Sequence, residues 1–116
     1  MTTASFFLCV PDSNWLDLFL IRHGIAAPRF QGLDHPERPL TPRGRQRSHA
    51  VMQALVRQGI VVDRLISSPY RRALETAQLA VKVGMAAQLE LDDRLRPAGS
   101  ALELVQRLQG RVALVG

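Results

Sequence analysis

Cysteine, lysine and long apolar runs are scarce in this sequence of 116 residues. The lone Cys9 has no partner for an internal disulfide, and one thiol cannot build a zinc cluster, so the sequence favours a reducing compartment. No apolar run approaches the roughly 20 residues that a transmembrane helix needs. We therefore expect a cytoplasmic protein without a membrane partner, and not a disulfide-stabilised secreted domain.

Aromatic residues make up only 5% of the chain, although its formal net charge is +5. The basic residues, nearly all of them arginine, are scattered between Arg22 and Arg111 with acidic residues among them. Nucleic-acid binding typically uses a continuous basic surface or aromatic platforms that stack bases. The sequence indicates neither, so we expect no nucleic acid among the partners.

Residues 1–15 precede the first clear strand pattern. Their apolar part, 6–10, is shorter than the core of a signal peptide, follows no basic segment and is interrupted by Pro11 without a cleavage motif. We interpret 1–15 as an N-terminal extension and 16–116 as one domain. A chain of this length, 47% of it hydrophobic, supports a single modest core.

Four short apolar runs predict β-strands, at 18–21, 65–66, 112–115 and, more weakly, 88–91. Their nearly continuous apolar character is typical of a parallel sheet that is covered on both faces. Helical patterns separate the runs. The alternation predicts βαβ units and an α/β fold, with three α/β/α layers around a mainly parallel central sheet.

Three helices are predicted, at 41–59, 68–84 and 100–110. The first begins with Thr41 as its cap before a proline, the second begins at Ser68, and the third begins at Ser100 with Glu103 completing a capping box. The residues expected to be buried are Ala50, Val51, Ala54 and Leu55 in the first helix, Ala73, Leu74, Ala77 and Val81 in the second, and Leu104, Val105 and Leu108 in the third.

The stretch DLFLIRHG ends a predicted strand on Arg22, His23 and Gly24. Ligands gather at the carboxyl ends of parallel strands, and the next strand ends at the same edge, where SPYRRA places Arg71 and Arg72 in the first turn of a helix. Arginines there oppose the helix dipole, a local cost that a bound anion would offset. An isolated histidine is more often structural and exposed arginines are tolerated, but their convergence favours a phosphate site.

The other two histidines are not expected to act directly. His35 lies in the long loop 26–39, and His49 lies inside the first predicted helix. No pair of histidines or cysteines has the spacing typical of a metal site. We therefore expect neither a metal nor another cofactor.

Four motifs, LFLIRHG, RPLTPRG, SPYRRALETA and LRPAG, follow one another in the chain. In this order and spacing they resemble the histidine phosphatase superfamily, whose fold is phosphoglycerate mutase-like, and most closely its phosphohistidine phosphatases of SixA type. The resemblance covers about residues 16–116. It implies a phosphatase that acts on phosphohistidine in signalling proteins through a covalent phosphohistidine intermediate on the enzyme.

The resemblance also implies individual roles. His23 matches the catalytic nucleophile, and Arg22 and Arg72 match catalytic residues that bind the phosphate, whereas Arg71 occupies a variable position of its motif. A nucleophilic imidazole must be unprotonated on the attacking nitrogen, and guanidinium groups are suited to the charge of a transferring phosphoryl group. Gly24 is expected to allow a sharp exit from the strand.

Two departures from the family pattern affect these expectations. Many relatives that hydrolyse phosphate esters have a glutamate acid where this chain has Pro97, which donates no proton. Asp92 or Asp93 is a conceivable replacement, although a solvated turn is the favoured interpretation. The phosphohistidine branch also lacks this acid, and an imidazole leaves far more readily than an alkoxide.

The second departure concerns a further catalytic histidine, which the family places after the glycine that closes its last core strand. VALVG matches that strand, and its glycine is Gly116. We expect the 116-residue chain to be truncated before this histidine, to be impaired in catalysis and to leave an apolar face of the last strand uncovered.

Two alternatives to the phosphohistidine phosphatase remain open. The first is a small-molecule phosphomonoesterase of the same superfamily. The second is a truncated, non-catalytic domain that binds phosphate or a phosphorylated partner. The sequence predicts no oligomeric state.

Overall fold

This computed structural model describes the backbone of residues 3–9 and the full residues 15–116. The elements in chain order are β1 (Thr3–Cys9), β2 (Trp15–Ile21), α1 (Pro42–Arg57), β3 (Arg64–Ser67), α2 (Arg71–Lys82), β4 (Leu89–Leu91), a 3₁₀ turn (Asp93–Leu95), α3 (Ala101–Val105) and β5 (Gly110–Val115). Within these described residues, every helix is too short or too polar to cross a membrane.

The strands form one sheet with the order β1-β2-β5-β3-β4. The pairs β2–β5, β5–β3 and β3–β4 are parallel, with Leu18 opposite Val112 and Ile66 opposite Leu114. β5 therefore lies between β2 and β3, and the carboxyl ends of all three reach the same edge. The predicted mainly parallel sheet and the strands at 18–21, 65–66, 88–91 and 112–115 are confirmed.

The N-terminal region contains a strand that the interpretation of 1–15 as an extension did not include. β1 pairs antiparallel with β2 from Thr3 opposite Ile21 to Cys9 opposite Trp15. The segment TASFFLC is rich in residues that favour β structure. However, periodicity does not reveal whether such a run pairs with a sheet edge. The domain boundary at residue 16 stays a prediction.

One face of the sheet packs against α1 and α2. Phe19, Ile21 and Leu65 from the sheet are buried together with Met52 of α1 and the small alanines of α2. The buried residues of α1 are Gly44, Ser48 and Met52, which follow one another at intervals of four. The prediction for this helix was wrong at two positions, because Ala50 and Ala54 are exposed and Val51 and Leu55 are only partly buried. Alanine occurs on both the buried and the exposed face of helices. A prediction that relied on Ala50 and Ala54 therefore placed the buried face of α1 incorrectly.

The second helix begins later than predicted. α2 starts at Arg71, after an extended Tyr70 whose side chain caps nothing. A residue before proline is restricted to extended conformations, which keeps Ser68 outside the helix. The Ser68 hydroxyl instead accepts a hydrogen bond from the Tyr70 amide at 3.2 Å. Ala73 and Ala77 are buried as expected, whereas Leu74 and Val81 are partly buried.

The other face of the sheet packs against the segment that contains α3. Val112 and Leu114 of β5 are 0% and 2% exposed there, so the expectation that the last strand leaves its apolar face uncovered was wrong. β5 is central in the sheet, and Leu104 covers it from α3. Ser100 makes no side-chain capping bond, so the predicted capping box does not form, and α3 has only five residues.

Candidate functional site

Three chain segments meet at the carboxyl edge of the sheet. The amide of His23, two residues after β2, donates to the carbonyl oxygen of Gly116 at 2.9 Å. The amide of Ser68, directly after β3, donates to the carbonyl oxygen of Val115 at 2.8 Å. These two bonds to the end of β5 bring the RHG segment and the start of α2 together.

The imidazole of His23 has a defined orientation. Its Nδ1 lies 2.7 Å from the carbonyl oxygen of Gly24, which can only accept a hydrogen bond, so Nδ1 carries the proton and Nε2 has the free electron pair. Nε of Arg72 donates to that Nε2 at 3.2 Å. The nitrogen able to attack a phosphorus atom therefore faces Arg72.

Arg72 is held on several sides within the first turn of α2. The residue is 5% exposed. Its Nη2 donates to Oδ2 of Asp34 at 3.0 Å, and its guanidinium carbon lies 4.8 Å from the centroid of the Tyr70 ring. Thr76 accepts from the Gly24 amide at 3.1 Å and donates to the Arg72 carbonyl oxygen at 2.8 Å. These contacts tie α2 to the RHG segment.

Asp34 joins two arginines, and the sequence did not indicate this role. Its Oδ1 accepts from Nη2 and Nε of Arg38 at 2.9 and 3.2 Å, while its Oδ2 accepts from Arg72. Desolvation alone would raise the pKa of Asp34, but the hydrogen bonds from Arg38 and Arg72 outweigh it and hold that pKa below its usual value. The only available signal was the length of the loop 26–39, since long loops are often functional.

A cavity of about 380 Å³ lies beside His23. Arg22, Arg29, Arg38 and Arg72 line it, with Asp34 as the acidic side chain of the wall. The predicted Arg22, His23 and Arg72 thus come together in one cavity. The excess of guanidinium groups favours an anionic ligand that accepts several hydrogen bonds, such as a phosphate. Among the described residues, no group of three or more His, Cys, Asp or Glu is arranged to hold a metal ion.

Three residues near these motifs lie outside the cavity wall. The side chain of Arg71 is 49% exposed, and its Nε lies 3.8 Å from Oε2 of Glu75. The exposed His35 accepts a hydrogen bond from the Glu37 amide through Nδ1 at 3.0 Å. His49 lies in α1 and lines a separate groove between α1 and α2.

Two carboxylates, Asp92 and Asp93, lie near Pro97 in the chain. Pro97 itself lines the cavity. The Asp92 carboxylate accepts hydrogen bonds from the Arg94 side chain at 2.9 and 2.7 Å, and these bonds lower the pKa of Asp92 to about 2. Asp93 is not part of the cavity wall, and its side chain is 77% exposed. The favoured interpretation of a solvated turn therefore agrees with the geometry, and neither aspartate replaces a glutamate acid.

Gly24 is required by close packing and not by an unusual backbone angle. Its φ is not positive, and a Cβ there would lie 2.2 Å from Oγ of Ser48. That hydroxyl is buried and has no hydrogen-bond partner among the residues that the structure describes. The sequence singled out Gly24 correctly. The reason is close packing against Ser48, however, and not a sharp exit of the chain from the strand.

The Gly24→Ala substitution is expected to lower the free energy of unfolding by about 2 kcal/mol through this clash. Ser48→Ala removes the clashing atom and a buried unpaired hydroxyl, so alone it should cost less than about 1 kcal/mol. The double variant should recover part of the loss, because the contacts that remain, 3.2 Å from the Gly44 carbonyl oxygen and 3.4 Å from Cδ2 of Leu40, are much longer. Urea denaturation of the four proteins measures this coupling, and simple additivity would contradict the packing explanation.

His23 is expected to titrate below its usual pKa of about 6.5. Burial has the largest effect and lowers the pKa of the imidazole. The hydrogen bond to Gly24 opposes it, and the charges of Arg72, Arg22 and Arg38 lower the pKa further. Nε2 therefore stays unprotonated at neutral pH, and the imidazole becomes charged only as the pH falls through this lowered value. Titration of the His23 imidazole by NMR measures it, with His23→Ala assigning the signal. A midpoint above 6.5 would contradict this environment.

Most of the chain matches a known protein family and a curated relative. Residues 18–99 match the family model of the histidine phosphatase superfamily, branch 1. An uncharacterized protein of Picosynechococcus is 33% identical over 85 residues, which are 73% of this chain and 52% of that protein. The chain thus spans about half the length of this curated relative.

Solved structures with similar folds include two SixA proteins. The structure of an Agrobacterium tumefaciens protein assigned to SixA aligns with a TM-score of 0.72 and 23% identity, over 85% of this chain and 67% of that chain. The protein histidine phosphatase SixA complexed with tungstate aligns with a TM-score of 0.71 and 24% identity, again over 85% of this chain and 67% of that chain. The predicted phosphoglycerate mutase-like α/β fold is confirmed.

Proposed function

This chain belongs to the histidine phosphatase superfamily, and from that premise we propose that it is part of a phosphohistidine phosphatase that dephosphorylates signalling proteins. In this proposal His23 is the nucleophile, and Arg22 and Arg72 bind the phosphoryl group. The observation that carries the proposal is the unprotonated Nε2 of His23, which accepts a hydrogen bond from Arg72 in an arginine-lined cavity.

The reaction has two steps at one imidazole. Nε2 of His23 attacks phosphorus, and the bond between phosphorus and the substrate imidazole breaks, with its electron pair leaving on that imidazole. Water then attacks the phosphorus on His23, which releases inorganic phosphate and restores the free Nε2. The guanidinium groups of Arg22 and Arg72 stabilise the charge on the phosphoryl oxygens during both steps.

The chemistry of the leaving group favours phosphohistidine over phosphate esters. An alkoxide leaves well only when an acid protonates it, and Pro97 and the ionised Asp92 supply no such proton. A phosphohistidine imidazole that carries a proton on its distal nitrogen leaves as a neutral group. The cavity is therefore better suited to breaking a P–N bond.

A comparison of substrates tests the proposal. The full-length protein is assayed with a phosphohistidine-containing phosphotransfer protein and with a panel of sugar phosphates and nucleotides. We expect kcat/KM to be roughly 100-fold higher for the phosphohistidine protein, since the described cavity wall offers no general acid for an ester leaving group.

The other outcomes identify the alternatives. A sugar phosphate or nucleotide as the best substrate would contradict the proposal and indicate a small-molecule phosphomonoesterase. Binding of inorganic phosphate without turnover of any substrate would indicate a non-catalytic phosphate-binding domain. Hydrolysis that is unchanged in a His23→Ala variant would exclude His23 as the nucleophile.

A further inference from the structure

Two large apolar side chains are exposed at the tip of the loop 26–39. Phe30 is 77% exposed and Leu33 is 67% exposed. Between them Gln31 and Gly32 adopt positive φ angles of 50° and 75°, and the Leu33 amide donates to the Phe30 carbonyl oxygen at 2.9 Å. The backbone thus forms a tight turn that presents both side chains to solvent.

The base of this loop is held by several hydrogen bonds. Ala26 and Leu40 form an antiparallel bridge, and the Ala27 amide donates to the Pro39 carbonyl oxygen at 2.8 Å. Nη1 of Arg38 donates to the Ala27 carbonyl oxygen at 2.7 Å while its other nitrogens bind Asp34. These bonds connect the base of the loop to Asp34, which directly follows the tip and lines the cavity.

The tip lies at the rim of the cavity but outside it. Arg29 and Asp34, the residues that flank the turn, line the cavity, whereas Phe30 and Leu33 do not. A small phosphate compound that occupies the cavity leaves both apolar side chains in water. A ligand that contacts them as well must extend beyond the cavity wall, as the surface around a phosphorylated side chain of a protein does.

We propose that Phe30 and Leu33 form a docking contact for the protein that carries the phosphorylated histidine. This inference rests on the phosphatase function proposed above and specifies how its substrate is recognised. The arginine-lined cavity takes the phosphoryl group, and the adjacent apolar tip contacts the surrounding surface of the same protein. Large exposed apolar side chains beside a binding site are typical of protein contacts.

The experiment compares two substrates that contain the same P–N bond. The full-length protein is assayed with free phosphohistidine and with a phosphohistidine-containing phosphotransfer protein. The test variant is Phe30→Ser combined with Leu33→Ser. The matched control is Val61→Ser, which also removes an exposed apolar side chain but lies before β3, at the amino edge of the sheet.

We expect the double variant to lower kcat/KM for the phosphoprotein about tenfold, with less than about a twofold change for free phosphohistidine. Val61→Ser should change neither value. Equal losses for both substrates would overturn the inference, since the tip would then act through the cavity, and so would the absence of a loss for the phosphoprotein. If the unmodified protein hydrolyses neither substrate, the proposed function fails and this inference fails with it.

Discussion

Replacing His23 by alanine is expected to lower turnover of a phosphohistidine protein by at least about 10³-fold in the full-length protein. Without His23 the described cavity wall has no imidazole to attack phosphorus. Its remaining polar side chains are arginines, the Asp34 carboxylate, which two of them engage, and the hydroxyls of Ser68 and Tyr70. We also expect the substitution to abolish the phosphorylated intermediate of the proposed reaction. Rapid quenching with labelled substrate measures both the rate and the covalent phosphate.

The stability of the adduct identifies the residue that is modified. A phosphorylated imidazole is labile in acid and stable in alkali, unlike a phosphate ester, and this adduct should disappear in His23→Ala. His49→Ala serves as the control, since His49 lies in α1 and lines a different groove. An adduct that persists without His23, or a comparable loss of turnover in His49→Ala, would contradict the assignment of the nucleophile.

The sheet and the start of the first helix were predictable because their signals are local. Short apolar runs bounded by polar residues located β2, β3 and β5 within a few residues. Thr41 followed by a proline indicated the start of α1, and its Oγ1 indeed accepts a hydrogen bond from the Gly44 amide at 2.9 Å. The convergence of His23 and Arg72 followed from the parallel topology, since both follow strands that end at one edge.

Features that depend on contacts between distant segments were not predictable. Asp34 approaches Arg72 across 38 residues, and only the folded loop brings the two side chains together. Gly24 is required by the Ser48 hydroxyl on α1, which a strand-and-turn pattern does not reveal. Local periodicity contains none of this information.

Replacing Arg72 by alanine is expected to reduce turnover about 100-fold while the fold remains intact. The expected loss corresponds to the one charged hydrogen-bonding contact that the proposed mechanism assigns to Arg72 at the transferring phosphoryl group. The fold should persist because Asp34, which would otherwise be left as an unpaired carboxylate, keeps its two hydrogen bonds from Arg38. Steady-state kinetics and thermal unfolding of the variant measure the two effects separately.

Arg71→Ala is a matched control for this substitution, because it removes the same charge from the neighbouring position of α2. The Arg71 side chain is half-exposed and lies outside the cavity, and its partner Glu75 also forms an ion pair with Arg45. We therefore expect less than about a threefold change in turnover, since surface ion pairs contribute little. Equal losses in the two variants would mean that the net charge of α2 matters and not the position of one guanidinium. A large loss confined to Arg72→Ala, only partly restored by Arg72→Lys, would instead indicate that the planar group beside His23 Nε2 is what the reaction requires.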